Sequence, residues 1–487
     1  MKMSLSFTIP RSKLIYLLPS LFVFLYVLIR AIRLDITYDE AWTLIDFVPQ
    51  SVIHILNFTP CDANNHILNS LSIKFLYSFL PHTVFVARVP NVISLIIFLV
   101  YSYKICNLFF TGSLSVATFL ILILNPFALD FFGLARGYGI SLACEMASLY
   151  FIFLFLKENS PRSLLLSLLW AALTVLSGLS TLNFYMGLIG SFALYTLIVQ
   201  RKTFLRNFIV AILASGALVV IVWEPIRKLI ETNSLYYGGE TGFYQDTLRS
   251  LAKYTLYSQE DSIYLMRAAD LFFLLFLLIV AFSLFKRSSS FTLQLFTLGI
   301  LIISSAAVIV QHKVLGSLYI IDRTALFFFP LLILSFCFSV QNINQKKMRT
   351  TLALILSAVF VFNFTIHANL HKTVTWYFDS HTKEILEKIN EEGRVKHTVQ
   401  KIDYSWPFES GVHFYLKEKN YPYVEIVKAG YVELNPEFDF YIYLGGTLDR
   451  IGYKPAEQFI VKADKDTVLA FESEKVFLFR NRKKIVH

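Results

Sequence analysis

The chain has 487 residues, is 56% hydrophobic and 16% charged, and carries 47 Phe. A soluble domain cannot hide that much apolar surface. The formal net charge of +10 does not point to nucleic acid, because the basic residues sit in short segments between apolar stretches. The four cysteines show no disulfide or thiolate-metal spacing.

The first apolar stretch covers 14–28. Arg11 and Lys13 precede it and no small-residue cleavage site follows, so it reads as an uncleaved first span. Others follow at 84–103, 113–129, 140–156, 164–179, 182–199, 208–223, 271–285, 293–310, 326–340 and 351–366. As helices they are long enough to cross a hydrocarbon layer of about 30 Å, the shortest only marginally. The expectation is a polytopic α-helical membrane protein with a bundle of about 11 transmembrane helices. With the N-terminus inside, the inner segments hold Lys2, Arg11, Lys13, Lys104, Lys157, Arg162, Arg201, Lys202, Arg206, Lys286, Arg287, Lys346, Lys347 and Arg349, opposed only by Glu158. That bias is the positive-inside pattern. It predicts a multi-pass protein of the cell (inner, cytoplasmic) membrane with a cytoplasmic N-terminus and an extracytoplasmic tail.

Three outer regions are polar enough to carry chemistry. The first is the loop 31–81, in which 71–80 repeats apolar residues at helical spacing and Pro81 ends the run. The second is 224–270, with an aromatic-rich crossing at 233–239. The third is the tail, where the pattern predicts a helix over 373–392, strands over 438–444 and 475–480, and a hairpin around 464–466. The domains expected are a membrane domain over 1–369 and a small α+β soluble domain over 370–487.

Asp39 and Glu40 follow the first span, flanked by Tyr38 and Trp42. Such a pair can be a solvated loop feature. In a partly dry setting, one carboxylate is also a candidate general base, because desolvation raises its proton affinity. Arg136 stands in Leu-Ala-Arg-Gly-Tyr-Gly at the outer start of the fourth span. It reads either as an interfacial anchor, with Tyr138 in the aromatic belt, or as a bidentate ligand for a lipid phosphate. Arg323 repeats the theme after Asp322. His66 follows Asn64 and Asn65, has no convincing metal-ligand partner, and suits a hydrogen bond to substrate. Glu145, inside a span, is a functional candidate by its cost. No phosphate-cradling loop appears, so an activated substrate is expected through the membrane.

The Asp-Glu pair after the first span, Asn-Asn-His before a short amphipathic helix, Ala-Arg-Gly-Tyr-Gly opening the fourth span and a late outer Arg resemble one family over about 12–366. It is the GT-C fold glycosyltransferases, in the protein-mannosyltransferase and lipid A aminoarabinose-transferase-like group. The resemblance implies inverting transfer of a sugar from a polyprenyl-phosphate-linked donor to a lipid, glycan or protein acceptor on the outer face. It implies Asp39 as catalytic base with Glu40 as support. Arg136 and Arg323 become phosphate-facing, and His66, Asn65 and Tyr138 substrate-binding. Membrane lipids are partners and nucleic acid is not. No cofactor follows with certainty, and a divalent metal is left open. Relatives often have proline after that histidine; here Ile67-Leu68-Asn69 stands instead. Two other classes stay open: a transporter or flippase for a lipid-linked glycan, and a non-catalytic membrane assembly protein.

Overall fold

The structure, a computed structural model, describes residues 11–199, 203–259, 262–285, 290–427, 437–445 and 466–481. In chain order the helices are α1 (Arg11–Arg33), α2 (Tyr38–Trp42), α3 (Val52–Leu56), α4 (Ile67–Tyr77), α5 (Val84–Phe109) and α6 (Ser113–Ile123). Then come α7 (Pro126–Phe132), α8 (Gly137–Glu158), α9 (Pro161–Ser177), α10 (Leu182–Val199), α11 (Phe204–Glu231) and α12 (Ser250–Thr255). The last six are α13 (Ile263–Leu284), α14 (Phe291–Leu315), α15 (Phe328–Gln341), α16 (Lys346–His367), α17 (Thr382–Lys396) and α18 (Glu409–Lys419). Two compact units result: Met1–Ile32 with Gln50–Ala368, and Arg33–Pro49 with Asn369–His487.

The first unit is a helical bundle. Every apolar stretch expected from the sequence overlaps a helix or a bent helix pair, although 164–179, 271–285 and 326–340 each run one or two residues past the helix. Among the described residues eight helices are long and apolar enough to span a membrane. Helices α6 and α7, bent by 58°, would form a ninth, while α9 and α15 are shorter. The protein is therefore a multi-pass membrane protein. The bend has a local cause. The Asn125 side chain caps α7 by accepting from the Phe127 amide at 3.0 Å, and Pro126 at the first helical position cannot continue the preceding helix. Helix α8 is buried along most of its length, against α5 and α9. Helices α1, α11 and α13 instead show rows of exposed Leu, Ile and Phe, the faces that a lipid phase would cover. The run expected over 71–80 is α4, which starts at Ile67 and closes at Tyr77. The chain turns off over Ser78–Leu80 before Pro81 can act as terminator.

The second unit holds a five-stranded sheet of order β2-β1-β3-β5-β4. Its strands are β1 (Gln400–Tyr404), β2 (Val424–Ile426), β3 (Phe440–Leu444), β4 (Asp466–Phe471) and β5 (Val476–Arg480). Strand β1 pairs in parallel with β2 and β3, and β5 runs antiparallel to β3 and β4. The residues of β3, Phe-Tyr-Ile-Tyr-Leu, are all buried, as expected of a strand covered on both faces. On one face Tyr441 and Tyr443 stand opposite Phe479 and Phe477, forming an aromatic cross-strand ladder. The helix expected over 373–392 begins later, at Thr382, because Tyr377–His381 winds as a 3-10 turn. Positions 464 and 465 of the expected hairpin lie outside the described residues. The observed turn, at Glu472–Lys475, joins β4 to β5.

Candidate active site

In the membrane unit the predicted residues His66, Arg136 and Tyr138 come together. Helix α9 ends at Ser177, so the Ser177 carbonyl is one of the acceptors that a helix leaves unsatisfied at its C-terminus. The His66 Nδ1–H donates to that oxygen at 2.7 Å. Nδ1 therefore carries the proton and Nε2 presents a lone pair. Arg136 fills it, donating from Nη2 at 2.9 Å, while its Nη1 donates to the Asn64 carbonyl at 3.2 Å. The Tyr138 ring packs edge-on against His66 with centroids 4.7 Å apart. Arg136 is the N-cap residue of α8 and is 1% exposed. Burial and the charges of Arg136 and Arg323 push the His66 pKa well below the ordinary 6.5, so the imidazole is neutral beside the Arg136 guanidinium.

Gly137 makes this contact sterically possible. A Cβ there would lie 1.8 Å from the Ser177 oxygen and 2.7 Å from His66 Nδ1. The Asn69 side chain donates to the Ala135 carbonyl at 3.0 Å and accepts from Asn91 at 2.9 Å. The bond to Ala135 pins the residue before Arg136. Asn65 is spent inside its own loop, donating to the Ile55 carbonyl and accepting from Ser70, both at 3.0 Å.

Arg323 sits on the turn Asp322–Ala325, which lies against the turn Leu179–Thr181 that follows Ser177. Its guanidinium stacks 4.1 Å from the Tyr237 ring centre and donates to the Tyr237 hydroxyl. Tyr237 in turn donates to Asp322, whose carboxylate is 3.5 Å from Arg323 Nη1. Burial, with Asp322 beside it, holds the Tyr237 hydroxyl well above its ordinary pKa despite Arg323. A second polar centre, with no part in the predicted set, joins Arg30 to Asp130 as a buried ion pair. The Tyr257 hydroxyl donates to the same carboxylate at 3.0 Å. Two charges embedded in apolar sequence must find each other, so this pair was readable in principle. Glu145 is fully buried, and neither of its oxygens has a hydrogen-bond partner among the described residues.

The acid pair belongs to the second unit. Thr37 caps α2, and Glu40 reaches back to accept from the Thr37 amide at 3.0 Å and its hydroxyl at 3.1 Å. Glu40 is thereby committed to shaping the turn. Asp39 is 6% exposed. The Ile36 amide donates to the Tyr415 hydroxyl at 3.1 Å and the Tyr38 amide to Asp379 at 2.6 Å. Sequence reasoning missed Asp379, which stands in no local motif. Burial, together with Asp39, Asp35 and Glu40, drives its pKa far above the ordinary carboxylate value. Among the described residues no group of three or more His, Cys, Asp or Glu side chains could hold a metal ion.

These features define a class: a multi-pass helical membrane protein with a GT-C-like bundle and a small C-terminal sheet domain. A particular structure shares that architecture. The apo crystal structure of ArnT from Cupriavidus metallidurans superimposes with a TM-score of 0.53 at 10% identity, over 97% of this chain and 98% of that one. ArnT from the same organism bound to undecaprenyl phosphate gives 0.49 at 11% identity, over 96% and 97%. No protein-family model and no curated protein matches the chain. At such identity the likeness is one of fold, and the fold is the ArnT-like GT-C bundle that the order of motifs implied.

Proposed function

We propose that the protein is a membrane glycosyltransferase that moves a sugar from a polyprenyl-phosphate-linked donor to an acceptor hydroxyl on the outer face of the membrane, inverting the anomeric carbon. Asp39 takes the acceptor proton, the acceptor oxygen attacks the sugar carbon, and the bond to the lipid phosphate breaks. The leaving polyprenyl phosphate is a stable anion, so it needs charge stabilisation more than an acid. Arg136 and Arg323 supply that charge, Arg323 being the more exposed with 13% of its side chain accessible. His66, with both ring nitrogens engaged, holds Arg136 in place; a hydrogen bond from His66 to substrate would have to displace one of these partners.

The observation that carries this reading is a buried Arg136 held on His66 and the Asn64 carbonyl, with Arg323 on a turn packed against the one that follows Ser177. Two guanidinium groups on adjoining turns suit an anionic ligand. The ArnT-like fold adds support by analogy. The same reading places the protein in the cell's inner membrane with the N-terminus cytoplasmic, and treats 1–369 and 370–487 as its domains.

The test uses purified protein with polyprenyl-phosphate-linked glucose, mannose, galactose and aminoarabinose, and monitors release of polyprenyl phosphate. Turnover of one donor is expected, abolished by Asp39→Asn with the protein still folded in the membrane. Undiminished turnover in Asp39→Asn refutes the assignment. Comparing lipid-linked sugars in cells with and without the protein identifies the donor as the species that accumulates.

A further inference from the structure

Helix α2 runs on directly as a π-helix over Thr43–Phe47, and the ten residues of the two together are still too few for a helix to be stable alone. Whatever fixes Asp39 must therefore come from tertiary anchors, and three are visible within the second unit. The Tyr415 hydroxyl from α18 accepts from the Ile36 amide. Ser410 bonds the Tyr38 hydroxyl, whose pKa burial pushes up to about 12. Asp379 accepts from the Tyr38 amide at 2.6 Å. That amide is the first of the helix, one of the donors that no intrahelical carbonyl can reach. Asp379 thus caps α2 from a segment more than 300 residues away in the chain. The Tyr38 ring also meets Trp406 edge-on at 6.1 Å, just beyond the carboxyl end of β1. In open α/β sheets this is the edge where functional groups collect. The other Asp379 oxygen, Oδ1, is buried with no hydrogen-bond partner among the described residues. A carboxyl kept there for stability alone would be a poor choice.

We propose, resting on the transferase reading above, that Asp379 is a positioning residue: its carboxyl oxygen clamps the Tyr38 amide and so sets the direction of Asp39. Residues 369–487 are then part of the reaction machinery rather than an appended module. Asp379 itself touches no reacting atom.

The experiment compares Asp379→Ala and Asp379→Asn in the full-length protein, using whichever of the four polyprenyl-phosphate-linked sugars the unmodified chain turns over. Asparagine keeps an oxygen able to accept from the Tyr38 amide; alanine does not. Displacing a reacting group by an ångström costs up to about 100-fold. Asp379→Ala should therefore lower kcat by about 10- to 100-fold, with the donor KM within about twofold. Asp379→Asn should restore kcat to within about threefold. Amide hydrogen exchange over 33–49 should quicken in the alanine variant and stay protected in the asparagine one. Unchanged kcat in Asp379→Ala, or asparagine as damaging as alanine, overturns the proposal. If the alanine variant does not fold, the asparagine variant decides alone: near-normal kcat supports the clamp and a tenfold loss refutes it. Asp39→Asn is run alongside. If it stays active the transferase reading itself falls; if it is dead while Asp379→Ala is normal, only the positioning role is lost.

Discussion

Gly137→Ala tests the site at its tightest point. The added methyl would sit 1.8 Å from the Ser177 carbonyl oxygen and 2.7–2.8 Å from two atoms of His66. A carbon–oxygen contact needs about 3.3 Å, so α8 and α9 must part by about 1.5 Å or His66 must leave. Overpacking of this kind costs about 1–3 kcal/mol. Losing the Nδ1–H bond to Ser177 leaves a buried donor and adds about 1–3 kcal/mol. Together the variant should lose about 2–6 kcal/mol, enough to lower its thermal midpoint by many degrees in detergent. Turnover should fall further than stability, because Arg136 loses the acceptor that holds Nη2. The control is Gly178→Ala, in the same neighbourhood. Its backbone is extended (φ −173), and its Cβ would meet His66 Nδ1 at an ordinary 3.7 Å. That variant should stay within about 0.5 kcal/mol of the parent. A Gly137→Ala protein that melts and turns over like the parent, or a Gly178→Ala protein equally damaged, refutes the packing argument.

Three further outcomes follow from the same contacts. Arg136→Lys keeps the charge but cannot donate to both His66 and Asn64, so donor KM should rise by about tenfold or more in initial-rate assays. Because the folded His66 resists protonation while the unfolded one titrates near 6.5, the unfolded state binds more protons below that pH. Stability should therefore fall as pH drops through about 6.5, levelling only near the depressed folded pKa; melting curves across pH 5–8 should lose this slope in His66→Gln. Asp130→Ala strands the Arg30 guanidinium and should cost about 3–5 kcal/mol. Replacing Arg30 by Met, Asp130 by Leu and Tyr257 by Phe together should recover most of it in the same melting assay.

Much of the fold was legible because membrane helices announce themselves by length and composition alone. The break at Asn125-Pro126 was equally present in the sequence, as a capping residue followed by a first-turn proline, yet a continuous hydropathy run hides it. The sheet was less readable. Strand β1, Gln-Lys-Ile-Asp-Tyr, lacks the alternation that marks a strand, because its pairing with β2 and β3 is set by distant chain. The same division holds at the site. Arg136, Tyr138 and His66 were visible as residue types out of place in apolar surroundings. What holds them was not, since the Ser177 and Asn64 acceptors are backbone carbonyls, and a carbonyl has no letter in the sequence. Asp379 escaped for the related reason that its partner is the Tyr38 amide.

The two units carry opposite charge: guanidinium groups gather near His66 in the membrane unit and carboxylates near Asp379 in the second. In the membrane unit, Arg136 is held on His66 and the Asn64 carbonyl, and Arg323 stacks on Tyr237; both are guanidinium groups able to grip an anion. In the second unit, burial and then Asp39, Asp35 and Glu40 raise the pKa of Asp379, so carboxylates gather around the residue assigned the acceptor proton. A flippase for a lipid-linked glycan would also use guanidinium groups on the lipid phosphate but needs no base, and a non-catalytic assembly protein needs no reactive pair. A reaction that releases a lipid phosphate while taking a proton from a hydroxyl uses both clusters, delivering the anion to the guanidinium groups and the proton to a carboxylate. On this argument the two clusters should fail differently: removing either arginine should weaken donor binding, whereas removing Asp39 should stop turnover with donor binding intact. Donor affinity measured by calorimetry on Arg323→Ala and Asp39→Asn separates the cases, and equal loss of affinity in both would sink the division of labour.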